Sequence, residues 1–349
     1  MTQVLQQITE PLLQWYDSHK RPLPWREDRE PYHVWISEIM LQQTRIEAVI
    51  RYYERFMQAL PDVESLSRIS EDQLLKLWEG LGYYSRARNL KKAACMIQTE
   101  LEGKFPSSYQ ELRRLPGIGD YSAGAIASIC FDEKVPAVDG NVLRVISRIL
   151  GSRKNVLLPE TKKETEELLR TVLPERSGAF NEALMELGET RCLPNGAPDC
   201  ARCPVHPWCT AFQEGLTEEL PVRVKSLKRH REEKTVLLLL SPRGRIALNK
   251  RPDSGLLSGM YQLPNFSGHL SEQEIAQKLT DQGITAETIT FLRNAKHVFT
   301  HIDWQMKGYL VRVAEESRTC QWATLQELSQ RYALPTAFKP FLPQELPSG

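Results

Sequence analysis

The sequence predicts an all-α domain joined to a smaller α+β domain. Three observations lead there. Over residues 1–212 apolar side chains recur at helical spacing, punctuated by Gly and Pro, with few alternating stretches. Residues 215–234 lose that period and carry six basic side chains, which suits a linker or, at most, a segment touching a polyanion. From Thr235 the texture changes. TVLLLLSP, RIALNKRP, HVFTHIDWQMKGYLVRV and TCQWATL read as strands, and LSEQEIAQKLTDQ reads as a helix. The expected boundaries are therefore 1–214, 215–234 and 235–349, and 349 residues suffice for two domains with a core each.

The bulk composition narrows the class. Hydrophobic residues make up 41% and charged residues 26%, as in a soluble globular protein. No apolar run reaches membrane-spanning length, and the opening MTQVLQQITEPLLQWYD is an amphipathic helix without a signal-peptide layout. The expectation is a cytoplasmic protein with no membrane partner, its seven cysteines reduced and serving as ligands and core thiols. Net charge is only +1, with 27 basic and 30 acidic side chains in 1–214 and 12 and 10 in 235–349. Any polyanion site must then be a local patch. Basic residues beside turns occur at Arg86, Arg88, Lys91 and Lys92, at Arg113 and Arg114, and at Arg153 and Lys154.

In the first domain, Ser108 and Glu111 form a capping-box pattern for a helix leading into Leu115. Then comes LPGIGDYSAGAIASICFDEKVPAVDGN, residues 115–141. Gly117 and Gly119 lack a Cβ, so the backbone there can turn left-handed and approach another molecule closely. The helix that follows, Tyr121 to Phe131, offers free N–H groups to a phosphate oxygen. The alternative is an ordinary corner between helices. Asp139 stands just before another helix, whose N-terminus favours its ionised form.

Pro31 to Leu60 reads as a strong helix, with Glu38 interrupting its apolar side between Val34, Trp35 and Leu41, with Gln42 beside them. Burial there would raise the Glu38 pKa toward that of a useful general acid. One acid and one ionised carboxylate are the pair used in glycosidic-bond cleavage. The plainer alternative is a salt-bridged helix residue and a simple N-cap.

Cys192, Cys200, Cys203 and Cys209 form C-x7-C-x2-C-x5-C. Four thiols in eighteen residues bind metal. A single compact loop suits a cubane iron–sulfur cluster better than zinc, which more often uses two distant C-x2-C pairs. A structural role is expected for the cluster, ordering a basic or DNA-facing loop. Cys95, Cys130 and Cys320 are expected as core thiols.

These pieces together resemble the helix-hairpin-helix DNA glycosylase superfamily and, within it, the MutY-type adenine DNA glycosylases. The resemblance covers essentially the whole chain. It rests on LPWR (23–26), SEIMLQQT (37–44), GLGYYSRARNL (80–90), LPGIGDYSAGAI (115–126), VDGNVLRV (138–145), FNEALMELG (180–188), the cysteine loop and HVFTH (297–301). It implies a monomeric, nucleoid-associated enzyme that excises adenine paired with 8-oxoguanine, or with guanine, from duplex DNA. It implies a 4Fe-4S cluster on the four cysteines. Glu38 matches the acid that protonates adenine N7, Asp139 the carboxylate that stabilises the oxocarbenium-like sugar, Asn141 the residue that orients it, and Tyr121 the active-site tyrosine. Trp25, Arg26, Leu41 and Glu182 match the adenine pocket, and Gln43 and Tyr83 the wedge entering the base stack.

Strand-cleaving relatives of endonuclease III type carry a lysine where Tyr121 stands, so excision without strand cleavage is implied. The second domain resembles the Nudix-like domain of the same family. Its SGHLSEQEIAQKL lacks the paired-glutamate core that would hold Mg²⁺, so it is expected to read DNA and not to hydrolyse nucleotides. Phe299, Thr300 and His301 match the loop that senses 8-oxoguanine, with Thr300 in place of the usual serine. HVFTH also reads as a plain strand. Leu257 stands where many relatives have tryptophan and receives no role, and the first cysteine gap is one residue longer than the commonest spacing. The competing readings are a non-catalytic iron–sulfur DNA sensor and a nucleotide hydrolase working through the second domain.

Overall fold

The computed structural model describes residues 1–224, 230–252 and 254–343. The chain forms two compact units, Met1–Arg68 with Asn89–Lys225, and Ile69–Arg88 with Ser226–Gly349. Residues 69–88 thus group with the C-terminal part. Of the segment read as a linker, 225–229 lies outside the described residues, as do 253 and 344–349 of the second domain.

The helices of the N-terminal part are α1 (Thr2–His19), α2 (Pro31–Leu41), α3 (Ile46–Ala59), α4 (Val63–Arg68), α5 (Glu71–Leu77), α6 (Ser85–Glu100), α7 (Tyr109–Leu112), α8 (Asp120–Phe131), α9 (Gly140–Ile149), α10 (Pro159–Arg170), α11 (Ser177–Thr190) and α12 (Thr210–Gln213). The single helix expected over 31–60 is broken. Gln43 takes a left-handed backbone, φ 59°, which no α-helix can continue, so α2 and α3 are separate rods. In α1, Leu5, Ile8, Leu12, Leu13 and Tyr16 share one face. That face packs on Val142, Val145 and Ile149 of α9 and Phe180, Ala183, Leu184 and Leu187 of α11. Each Val, Leu, Ile or Phe among these contributes roughly 1.5–3 kcal/mol by leaving water.

Helix α8 is built from small residues, and that sets its neighbours. A Cβ on Gly124 would meet the Pro136 carbonyl oxygen, and one on Gly178 would meet the Ser128 carbonyl oxygen. Helix α8, the 132–139 loop and α11 therefore approach backbone to backbone. Buried Asn181 locks the loop. Its Nδ2 donates to Ser128 Oγ and the Val135 carbonyl, both at 2.9 Å, and its Oδ1 accepts from the Ala137 N–H at 3.2 Å. The path into Asp139 is thereby set. In the turn before α8 only Gly117 is left-handed, φ 81°, where a Cβ would come within 2.5 Å of Asn89 Cβ. Gly119, also expected to need that freedom, is the extended N-cap residue with φ −93°.

The second unit holds a mixed sheet in the order β3-β2-β1-β6-β5, with β4 pairing β1 and β7 pairing β2. Its strands are β1 (His230–Leu240), β2 (Ile246–Lys250), β3 (Tyr261–Gln262), β4 (Asn265–Ser267), β5 (Ala286–Val298), β6 (Ile302–Val313) and β7 (Gln321–Ala323). Helices α13 (Glu272–Asp281) and α14 (Leu325–Arg331) flank them in sequence. Strand β1 runs parallel to β6, Val236 opposite Gly308, and the other pairs are antiparallel. The run of leucines in β1 serves both faces. Val236, Leu238 and Leu240 meet Trp304, Met306 and Phe338, while Leu237 and Leu239 meet Ile275, Leu279 and Val311. Most of β5 carried no clear alternation in sequence and was outside the expected strands. Of the expected core thiols, Cys95, Cys130 and Cys320 are only partly buried. Among the described residues no helix is long and apolar enough to cross a membrane.

Gly124→Ala forces α8 off the 132–139 loop, so it should destabilise the helical unit by about 1–3 kcal/mol or more. A urea-unfolding series followed by circular dichroism checks this, and an unchanged midpoint would refute the close packing.

Candidate active site

Helix α2 buries Glu38 until it is only 6% exposed. Its Oε2 has no hydrogen-bond partner among the described residues. Burial raises the carboxyl to about 7, and the Asp139 and Glu182 charges add to this, while hydrogen bonding from Tyr121 and the Arg26 charge oppose it. Such a group keeps its proton up to near-neutral pH and can deliver it. The Tyr121 hydroxyl also lies 3.1 Å from Met185 Sδ, so the sulfur and the Glu38 carboxyl compete for its one proton. Burial and the neighbouring Glu38 hold its pKa far above the ordinary phenol value, so it stays a neutral donor.

Asp139 caps α9. Its Oδ1 accepts from the Val142 N–H and its Oδ2 from Asn141 Nδ2, each at 2.8 Å. The sequence led to the expectation that these bonds would keep its carboxyl low. Burial outweighs them, and the pKa is raised above the usual aspartate value. The two carboxyls are distinguished by their bonding: Asp139 has donors on both oxygens, whereas Glu38 Oε2 has none. From Asn141 a chain of bonds runs on. Its Nδ2 also donates to Glu189 Oε1 (2.9 Å), Arg144 Nη2 donates to its Oδ1 (2.8 Å), and Arg144 Nε donates to the Cys192 carbonyl (2.7 Å).

Opposite lies a cluster from α1, the 3₁₀ turn Pro24–Arg26 and α11. Arg26 donates from Nε to Glu182 Oε1 (3.1 Å) and from Nη1 to Glu186 Oε2 (3.0 Å), and its guanidinium lies over the Tyr16 ring at 5.6 Å. Arg21 pairs with both oxygens of Glu186 at 2.6 and 3.0 Å. Trp25, Arg26, Leu41 and Glu182 line the same cavity as Glu38, Tyr121, Asp139 and Asn141, and Gln43, Gly117 and Gly119 stand on its wall too. Sequence reading missed Arg21, Tyr16, Glu186 and Glu189. The spacing of Glu182, Glu186 and Glu189 on one α11 face was the available signal.

The remaining predicted residues line a second cavity within the other unit. Phe299, Thr300 and His301 form the tight turn between β5 and β6, where the Phe299 N–H donates to the Ile302 carbonyl at 2.8 Å. Tyr83 Oη and Thr300 Oγ1 lie 3.0 Å apart, hydrogen-bonded. Tyr83 is 47% exposed and left-handed, φ 48°, as is Leu257, φ 56°, on the same cavity. Bulky residues held left-handed are costly and often mark working sites. Two of the basic residues suggested for a polyanion patch are spent internally. Arg86 lies buried over Trp78 at 5.4 Å, and Arg88 pairs with Glu71 and Ser258.

The four loop cysteines face one small cavity. Cys209 is buried, the others partly so, and Arg148 Nη1 donates to Cys192 Sγ at 3.2 Å. Among the described residues no three His, Cys, Asp or Glu side chains converge to grip a single ion. The longer first gap closes through Asp199, which pairs with Arg191 and Arg202 at 2.8 Å, and through left-handed Gly196 with open space around it.

Residues 36–175 match the model of the HhH-GPD superfamily base excision DNA repair proteins, and 235–344 match that of the NUDIX domain. The adenine DNA glycosylase of Mus musculus is 34% identical, over 94% of this chain and 76% of its own length. That of Arabidopsis thaliana is 39% identical over 74% and 47%. Among solved structures, a thermostable thymine-DNA glycosylase superposes with a TM-score of 0.55 at 27% identity, covering 61% of this chain and 98% of that one. An endonuclease III–DNA complex, at 21% identity and TM-score 0.53, covers 62% and 98% and shares the fold.

Isotope-edited NMR of the glutamates should find one carboxyl titrating near pH 7. Tyr121→Phe removes the hydroxyl that pulls it down, so that titration should move higher. A carboxyl titrating at the ordinary glutamate value would contradict the burial.

Proposed function

Because this chain belongs to the adenine DNA glycosylases, enzymes of base excision repair, we propose that it excises adenine paired with 8-oxoguanine, and with guanine, leaving an abasic site in an uncut strand. The observation that carries this reading is the buried Glu38 carboxyl, raised to about 7 and lining one cavity with N-capping Asp139. A base in a duplex must first leave the stack. Trp25, Leu41, Arg26 and Glu182 then receive it, and Glu38 passes its proton to adenine N7, which makes the base a neutral leaving group. Asp139, aimed by Asn141, stabilises the positive charge left on the sugar until a water adds its oxygen to C1′ and gives up a proton, which yields the abasic site. Gln43 and Tyr83 fill the gap in the stack, and Gly117 and Gly119 let the α8 start grip a phosphate. No amine stands where a Schiff-base lysine would, since Tyr121 holds that position, and so the strand stays whole.

We assign catalysis to the helical unit within residues 1–214 and reading of the opposite base to 235–349 together with 69–88, the expected linker 215–234 being shortened at its end because β1 already begins at His230. Phe299, Thr300 and His301, with Tyr83 bonded to Thr300, are suited to a purine edge that carries the extra N7–H and O8 groups of the lesion. The Nudix-like part has no paired-glutamate box, and Glu274 is spent capping α13. A 4Fe-4S cluster would be held by Cys192, Cys200, Cys203 and Cys209 and supply a rigid cross-link for their loop. Four thiols of one compact loop around one cavity suit a cluster better than zinc, which more often uses two distant C-x2-C pairs.

Incubation with duplexes carrying adenine opposite each of the four partners 8-oxoguanine, guanine, cytosine and thymine, followed by hot alkali, is the direct test. Breaks at adenine opposite 8-oxoguanine, seen only after alkali, are expected; none at all would sink the proposal, and breaks without alkali would reassign the enzyme as a lyase. Glu38→Gln should slow excision by about 10²–10⁴-fold while sparing lesion binding. Since Glu38 must be protonated to act, the wild-type rate should fall as pH rises through about 7. Iron and sulfide assays should return about four of each per chain, and stoichiometric zinc without iron would refute the cluster.

A further inference from the structure

Glu186 has no role in the proposed chemistry, yet it is among the most buried charges in the molecule, 1% exposed. Every bond its carboxylate accepts comes from Arg21 or Arg26. Its Oε1 accepts from Arg21 Nε (2.6 Å) and the Arg21 backbone N–H (3.3 Å), and its Oε2 from Arg21 Nη2 (3.0 Å) and Arg26 Nη1 (3.0 Å). A buried carboxylate is tolerated when paired this completely. Its pairing has a direction. Arg26 is forked, with Nη1 on Glu186 and Nε on Glu182, so Glu186 decides where the Arg26 plane lies and thereby which way Glu182 faces the cavity.

We propose that Glu186 is the positioning residue of the base pocket, clamping Arg26 against Glu182 and pairing the charges of Arg21 and Arg26. This rests on the excision chemistry proposed above. The charged and titratable groups that face Glu38 are Tyr121 and Cys130 of α8, Asp139 at the start of α9, Glu182 of α11 and Arg26 of the 3₁₀ turn. Those around Arg26 are Tyr16, Glu182 and Glu186. In the first set the Tyr121 hydrogen bond and the Arg26 charge pull the Glu38 proton off, and Arg26, the one positive charge among them, is the one that Glu186 pairs. Without Glu186 the positive charge of Arg21 and Arg26 is less compensated, the Glu38 carboxylate is favoured, and the acid is lost at lower pH.

The test compares wild type, Glu186→Gln and Glu186→Asp in single-turnover excision from an adenine·8-oxoguanine duplex across pH. Binding to a duplex with an abasic-site analogue opposite 8-oxoguanine is measured alongside, because it needs no base in the pocket. Glu186→Gln should lose about 10–100-fold in rate at neutral pH, with its alkaline limb moved to lower pH and abasic-site binding unchanged. Glu186→Asp keeps the charge but not the reach. It should restore the wild-type limb while remaining slower than wild type. Wild-type excision together with an unchanged rate and limb in Glu186→Gln would overturn this inference alone. Parallel loss of rate and abasic-site binding in both variants, with both limbs at the wild-type pH, would make Glu186 merely structural and overturn it too. Absence of excision by wild type would overturn the proposed function and this inference with it.

Discussion

One carboxylate oxygen without a partner, Glu38 Oε2, sets the terms for the helical unit. Leaving a buried acceptor unsatisfied costs about 1–3 kcal/mol, and more if it is charged. The protein avoids the larger cost by keeping the group protonated, which is the meaning of a pKa near 7. That requires a rigid, largely apolar setting on α2 and control over every charge that faces it. The break at Gln43, the close packing of α8 and the clustering of arginines with carboxylates all bear on this requirement.

The surrounding architecture separates two carboxyls by bonding and not by burial alone. Asp139 is as much a structural group as a chemical one, because it closes the first turn of α9. Helix α9 then carries Asn141, Arg144 and Arg148 down one side, and these reach the Cys192 carbonyl and sulfur. Order in the cysteine loop and the aim of Asp139 therefore share one rod. On the other side α11 supplies Asn181 for the loop into Asp139 and Glu182 and Glu186 for the arginines. A single helix thus holds both walls of the cavity.

The second unit follows a different economy. Parallel pairing of β1 with β6 buries both faces of a leucine run, and this rigid centre leaves the β5–β6 turn to present Phe299, Thr300 and His301. The neighbouring Tyr83 and Leu257 hold left-handed backbones that only a well-packed surround can maintain.

The residue pattern alone determined much. Period and texture separated a helical part from a sheet part. The capping pair Ser108 and Glu111, the cysteine spacing and the odd carboxyl in an apolar helix face are all local signals, readable because each depends on neighbours a few residues away. Tertiary structure decided what depends on distant partners. It brought Glu38, Asp139, Tyr121 and Glu182 to one cavity, spent Arg86 and Arg88 internally, and put residues 69–88 with the C-terminal unit. It reversed the expected balance at Asp139, because the amount of water excluded around a carboxyl is set by elements far away in sequence. For the same reason nothing local marks Glu186, which is buried only because the arginines at 21 and 26 close over it.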